Sequence, residues 1–285
     1  MMRPVGLGPM HEAYPGRVID VGIAEAEAVA SAAGMAYQGA HPVVALYATF
    51  LNRGFDQLLM DVALHRAGVT VVLDRAGVTG ADGASHNGVW DIAMCSMIPG
   101  LRLAAPRDEQ TLRARLREAL DVDDAPTVIR YRKGSLPEPM PALRSVGGVD
   151  ILFDEAEADS PARVLIVGTG ACAPDAIEAA RRLAAAGVSV TVADPQWMIP
   201  ICPELATLVR DYDCVVSVED GIVQGGFGWS LRDAVAETGV PVRCLGVPQG
   251  FPEHGERAAM IAQFGFDADG IERAARELVE RIGER

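Results

Sequence analysis

Short apolar runs alternate with helical patterning along the first half of the chain. Residues 18–21, 43–47, 69–73, 101–105 and 127–130 are near-continuous runs of aliphatic side chains, the pattern of strands buried on both faces of a parallel sheet. Between the first two runs, residues 26–37 are mostly alanine and other small or strongly helix-forming residues, which predicts a closely packed helix. A second alternation follows, with strands at 164–167, 189–193, 214–218 and 242–245, helices at 174–186, 203–210 and 226–237, and a closing helix at 271–282. The intervening stretch, 133–161, carries Pro137, Pro139, Pro141, Gly147, Gly148 and an acidic cluster at 154–159. It reads as a connection holding one short strand. The expected fold class is α/β, with two doubly wound, mostly parallel-sheet domains at 1–140 and 161–285 joined by a linker at 141–160.

Composition narrows the function classes. A chain of 285 residues, 49% hydrophobic, can fill two cores. A net charge of −14 argues against a nucleic-acid groove or an anionic membrane surface, while leaving room for a local basic pocket that takes a small phosphorylated substrate. The five cysteines (Cys95, Cys172, Cys202, Cys214, Cys244) form no CxxC pair and are odd in number, so a reducing, cytoplasmic setting is expected. Residues 1–14 lack an apolar signal core, and the longest apolar run, 43–51, falls short of the roughly 20 residues a membrane span needs.

The richest chemical signal is Asp20-Val21-Gly22-Ile23-Ala24-Glu25, which carries a carboxylate from an apolar run onto the first turn of the alanine-rich helix. By itself an acid there complements the helix dipole and needs no further role. Seven further segments add to it: YATFLNRGFDQ at 47–57, DVALH at 61–65, DRAGVTGADGASHNG at 74–88, AAPRDE at 104–109, IRYRKG at 129–134, VEDGIVQGGFG at 218–228 and VPQGFPEHGER at 247–257. Together, and in this order, they resemble the C-terminal half of 1-deoxy-D-xylulose-5-phosphate synthase, a transketolase-like thiamine-diphosphate enzyme. The resemblance implies a pyrimidine-binding domain followed by a transketolase C-terminal domain.

It also implies roles. Glu25 matches the glutamate that shares a proton with the cofactor pyrimidine, a task for a buried carboxyl that is protonated part of the time near neutral pH. Phe50 matches the aromatic stacked on the pyrimidine and Ile23 the apolar residue beside the cofactor, although both residue types are commonly plain core. Tyr47, Arg53, Arg75 and Arg130 match substrate and phosphate anchors, for which the planar guanidinium fork is suited. The same arginines could instead answer Asp56, Asp74 or Asp82 in structural ion pairs. His86 matches a catalytic histidine facing the substrate carbonyl, and Asp82 a contact to substrate hydroxyls. His11, His41, His65 and His254 have no comparable context. In the C-terminal domain the loop at 219–228 could bind an anion at its helix start or serve as a glycine-built turn.

The family's GDG motif with its downstream asparagine, which holds magnesium and the cofactor diphosphate, has no counterpart in the chain, so no metal site is assigned to it. Also missing are the helix and strand that open the family's pyrimidine-binding domain. The expectation is a split enzyme: thiamine diphosphate shared with a separate diphosphate-binding chain that binds the magnesium, and self-association through the C-terminal domain. A fragment of a full-length synthase would have the same sequence features, and the Met1-Met2 start favours a split gene. Where the synthase continues its glutamate motif with glutamine and histidine, this chain has Ala26 and Glu27, which leaves the donor and acceptor substrates open. The alternatives are a split transketolase subunit moving a ketol unit and a non-catalytic paralogue acting as a regulatory subunit.

Overall fold

The structure is a computed structural model that describes residues 2–135 and 137–284. Its first sheet contains four parallel strands, β1 (Val43–Tyr47), β2 (Thr70–Asp74), β3 (Arg102–Ala104) and β4 (Thr127–Arg130), in the order β1-β2-β4-β3. Every residue of β4 is buried, as expected for a strand covered on both faces. The run at 18–21 differs from expectation. It belongs to no strand, and Ile19 is 68% exposed. An apolar run becomes a strand only where a neighbour takes its backbone hydrogen bonds, and the sheet of this chain ends at β1.

The second sheet has six strands, β5 (Arg144–Val146), β6 (Val149–Glu155), β7 (Arg163–Gly168), β8 (Ser189–Pro195), β9 (Cys214–Ile222) and β10 (Val242–Val247), in the order β10-β9-β7-β8-β6-β5. The four strands β7 to β10 pair in parallel, whereas β5 and β6 form an antiparallel edge. The stretch expected as a connection with one strand therefore holds a two-stranded hairpin of the C-terminal sheet. Gly147 and Gly148 make its turn, both at positive φ (51° and 87°), the backbone that a two-residue hairpin turn requires.

The two sheets share a core. Leu103, Ala105 and Ile98 from the first half pack in one apolar cluster with Met198, Leu205, Phe227 and Leu231 from the second. Backbone hydrogen bonds tie the halves, among them Met198 N to Leu103 O at 2.7 Å and Leu103 N to Ile199 O at 3.0 Å. Buried charges cross the same seam. Arg107 donates to Asp150 (2.7 Å) and Asp194 (3.0 Å). Burial pushes the Asp194 carboxyl up to about 7 against the pull of Arg107. Among the described residues no helix is long and apolar enough to cross a membrane.

Candidate active site

The C-terminal ends of β1, β2 and β4 lie side by side, with Tyr47 opposite Asp74 and Leu73 opposite Arg130. In an open parallel sheet this rim is where ligands bind. After β2 the chain turns sharply at Arg75, which takes a left-handed backbone (φ 61°). Its guanidinium thereby comes to lie over the Tyr47 ring at 4.2 Å. Tyr47 in turn stacks on Phe50, with centroids 5.9 Å apart and planes 17° from parallel. Arg53 lies over the Phe50 ring at 4.5 Å, and the His86 ring meets Phe50 edge-on at 5.5 Å.

Glu25 opens the helix Glu25–Tyr37 and is only 6% exposed. Its Oε2 lies 3.4 Å from Arg53 Nη1. Gly54 follows Arg53 and packs against the Glu25 carbonyl and Val29; a Cβ added there would meet Val29 at 3.0 Å and Glu25 O at 3.3 Å. The glycine thus lets the segment carrying Phe50 and Arg53 approach the start of the helix.

The loop at 77–88 presents Asp82 and His86. Its two feet are bound to each other by Gly77 N to Gly88 O (2.8 Å) and the reciprocal bond (2.9 Å). Inside it, buried Asn87 accepts from Thr79 N (2.8 Å) and Gly80 N (3.3 Å) and donates to Gly83 O. Thr49 Oγ1 donates to Ser85 O (3.0 Å), and Ser85 Oγ lies 2.8 Å from His86 Nδ1. Asp82 is met by Lys133 Nζ at 2.7 Å and Arg75 Nη1 at 3.4 Å. The Lys133 ammonium holds the Asp82 carboxyl below its usual range, with Arg75 and His86 acting in the same direction.

Of the residues expected from sequence, Glu25, Tyr47, Phe50, Arg53, Arg75, Asp82 and His86 form one continuous chain of contacts. Arg130 does not join it. Its side chain is 2% exposed, and all three nitrogens face carboxylates: Nε to Asp91 at 2.7 Å, Nη2 to Asp91 at 3.4 Å and Nη1 to Asp220 at 2.5 Å. Every guanidinium nitrogen is thus held by a carboxylate, one of them from the second half, and the partners are not Asp56, Asp74 or Asp82. Lys133, three residues on, occupies the place by Asp82 instead. It went unnoticed because it begins the proline- and glycine-rich stretch, and only its fold-back onto the rim marks it. Ile23 is 74% exposed in the bend before the helix and takes no part in that chain of contacts.

Ile19 and Ile23, in the segment that leads to Glu25, are exposed large hydrophobic residues; Met35, Tyr37 and Val43 are exposed too, at the far end of the helix that Glu25 opens and at the start of β1.

With this geometry in place, comparison with known proteins is informative. Residues 3–139 match the transketolase pyrimidine binding domain and residues 155–271 the transketolase C-terminal domain. The chain is 53% identical over 283 residues to 1-deoxy-D-xylulose-5-phosphate synthase 2 of Kitasatospora griseola, covering 98% of this chain and 45% of that protein. It is 51% identical over 276 residues to 1-deoxy-D-xylulose-5-phosphate synthase of Corynebacterium glutamicum, covering 95% of this chain and 44% of that one. The chain thus spans less than half the length of these relatives. Among solved structures it resembles a split gene transketolase, inactive beta4 tetramer, with TM-score 0.82 and 28% identity over 94% of this chain and 86% of that one. Two successive domain matches, near-end-to-end identity and the shared fold lead to one conclusion: the chain belongs to the transketolase family and corresponds to the C-terminal half of a 1-deoxy-D-xylulose-5-phosphate synthase.

Proposed function

We propose that this chain is one subunit of a split, thiamine-diphosphate-dependent carboligase of the 1-deoxy-D-xylulose-5-phosphate synthase type. Its partner is a separate chain that binds the diphosphate and magnesium, and the donor and acceptor are a 2-ketoacid such as pyruvate and a phosphorylated aldehyde. The observation that carries this reading is the buried Glu25 carboxyl at a helix start, joined through Arg53 and Phe50 to a cationic pocket around Asp82.

The residues fit the cofactor's pyrimidine: a buried carboxyl to meet a ring nitrogen and a half-buried aromatic, Phe50, to lie against the ring. When bound, thiamine diphosphate supplies the electron sink that lets a 2-ketoacid lose carbon dioxide and its acyl unit form a new carbon–carbon bond. The protein's own groups do the rest. Glu25 holds and returns a proton at the pyrimidine nitrogen, and its burial keeps water from competing for that contact. Arg53, Arg75 and Lys133 supply positive charge for the carboxylate and phosphate groups of the substrates. Asp82, held between Arg75 and Lys133, offers an acceptor to substrate hydroxyls, and His86 stands across the Phe50 ring to donate or accept at the substrate carbonyl.

Exposed Ile19 and Ile23, in the segment that leads to Glu25, support a partner surface beside the site. The likeness to a split gene transketolase supports the division of the enzyme into two chains.

The test is Glu25→Gln, assayed with the partner chain, thiamine diphosphate, magnesium, pyruvate and glyceraldehyde 3-phosphate. Turnover should fall by about 10²–10⁴-fold, the usual worth of a positioned acid–base group, while association with the partner is retained. Undiminished turnover by the variant would refute the role of Glu25.

A further inference from the structure

The loop that carries Asp82 and His86 belongs to the first half of the chain, yet it is held in place from the second. Arg257, at the start of the helix Arg257–Phe264, donates from Nε to Val78 O at 3.1 Å. Asp220, at the end of β9, faces Gly77 so closely that no Cβ could stand there. Gly80, at φ +71°, packs on the Gly255 carbonyl, where an added Cβ would lie at 2.6 Å. A further backbone bond joins Ile222 N to Val89 O at 2.9 Å, just beyond the loop's second foot. Both feet therefore rest on the C-terminal domain, while the arch at 81–86 is free to face the rim.

Asp220 carries the pattern further. It is 1% exposed; its Oδ1 accepts from Arg130, while its Oδ2 is buried, makes no hydrogen bond among the described residues and lies 3.9 Å from Arg257 Nη2. A buried carboxylate oxygen without a hydrogen bond is costly unless a charge nearby compensates. Here it draws the Arg257 guanidinium across the seam to the Val78 carbonyl.

We propose that Asp220 and Arg257 of the C-terminal domain are positioning residues that pin residues 77–80 and so set Asp82 and His86 at the height where they meet the acceptor substrate. The inference rests on the proposed roles of Asp82 and His86, although the pinning itself can be read without turnover. It gives the C-terminal domain a part in substrate recognition besides association.

The experiment has two arms. In the first, amide hydrogen exchange is followed in the purified full chain for wild type, Arg257→Ala, Arg257→Lys and Gly80→Ala. Exchange of the amides at 78–86 should rise about tenfold or more in Arg257→Ala and Gly80→Ala and stay near wild type in Arg257→Lys, with strands β7 and β9 unchanged in every case. Gly80→Ala pushes from the loop side and leaves the Asp220 and Arg257 side chains intact, so it decides the matter should Arg257→Ala fail to fold. In the second arm, the same variants are assayed with the partner chain. Arg257→Ala should raise KM for the phosphorylated aldehyde about tenfold and lower kcat as well, since Asp82 and His86 move with the loop, and Arg257→Lys should restore both.

Unchanged exchange at 78–86, or a rise spread equally over β7 and β9, overturns the pinning. A freed loop with KM unchanged overturns its bearing on the acceptor. No turnover by the wild-type mixture would instead count against the proposed reaction, with the exchange arm still deciding the pinning.

Discussion

At the residue scale, the pocket is defined by which charges face outward and which are consumed within the fold. Arg75, Arg53 and Lys133 face the rim, whereas Arg130 is spent on Asp91 in its own half and Asp220 across the seam, and Arg107 on Asp150 and Asp194 across the seam. Lys133→Ala should therefore raise KM for the phosphorylated acceptor by about 10–100-fold, the worth of one charged hydrogen bond, with kcat less affected; Lys133→Arg should recover part of the loss. Steady-state kinetics with the acceptor varied would check this, and an unchanged KM would remove Lys133 from the site. Glu25, Phe50, Arg75, Asp82 and His86 were legible in the sequence because each lies inside a motif of fixed spacing. The distinction between Arg130 and Lys133 was not, since both sit in IRYRKG and only the third dimension shows which one β4 buries.

At the element scale, the loop at 77–88 carries Asp82 and His86, and its glycines Gly77 and Gly80 leave no room for a side chain. Gly77 has φ +76° and its Cα lies against Asp220. Gly77→Ala adds left-handed strain to a clash with a buried carboxylate, and about 2–4 kcal/mol of stability should be lost in urea unfolding. A variant as stable as wild type would show that the loop can lift from the C-terminal domain at little cost. The strands that the apolar runs predicted were found wherever a run had a neighbour: β1, β2, β3, β4, β7, β8, β9 and β10. The run at 18–21 had the composition of a strand and no partner in this chain. The hairpin of β5 and β6 had the opposite history. β5 has only three residues and is wholly exposed, and the seven residues of β6 are broken by Asp150 and end in Asp154-Glu155, so periodicity was weak, and Gly147-Gly148 was the surviving signal.

At the scale of the whole molecule, the two halves share an apolar cluster and bury ion pairs between them. Removing the Arg107 side chain would strand Asp150 and Asp194 without their cation. Burial likewise lifts Glu219 from its ordinary 4.5 to about 7, even though it accepts from Phe227 N and Gly228 N, both at 2.8 Å. The native state therefore binds these protons more tightly than the unfolded chain does. The stability that Glu219 and Asp194 add is fully present below their unfolded values and is lost as pH rises through about 7. Asp108 and Asp150 are shifted downward and act at the acid end, where their contribution is lost as pH falls. Glu219→Gln removes one of the upper titrations. Its stability deficit relative to wild type should be largest near pH 5 and shrink toward pH 8, as read from thermal midpoints across that range; a constant or widening gap would contradict the assignment. The two-domain α/β architecture was visible in the alternation of runs, but these seam contacts join residues 43 to 90 positions apart and no local pattern announces them.

The decisive measurement is carbon dioxide release from pyruvate in the presence of thiamine diphosphate, magnesium and glyceraldehyde 3-phosphate, by this chain alone and after co-expression with a diphosphate-binding partner chain. Release only in the mixture is the result predicted for a split carboligase whose buried Glu25 and cationic rim are completed by another subunit. Release by this chain alone would contradict the division of the site, and silence in a mixture whose two chains co-purify would contradict the proposed chemistry.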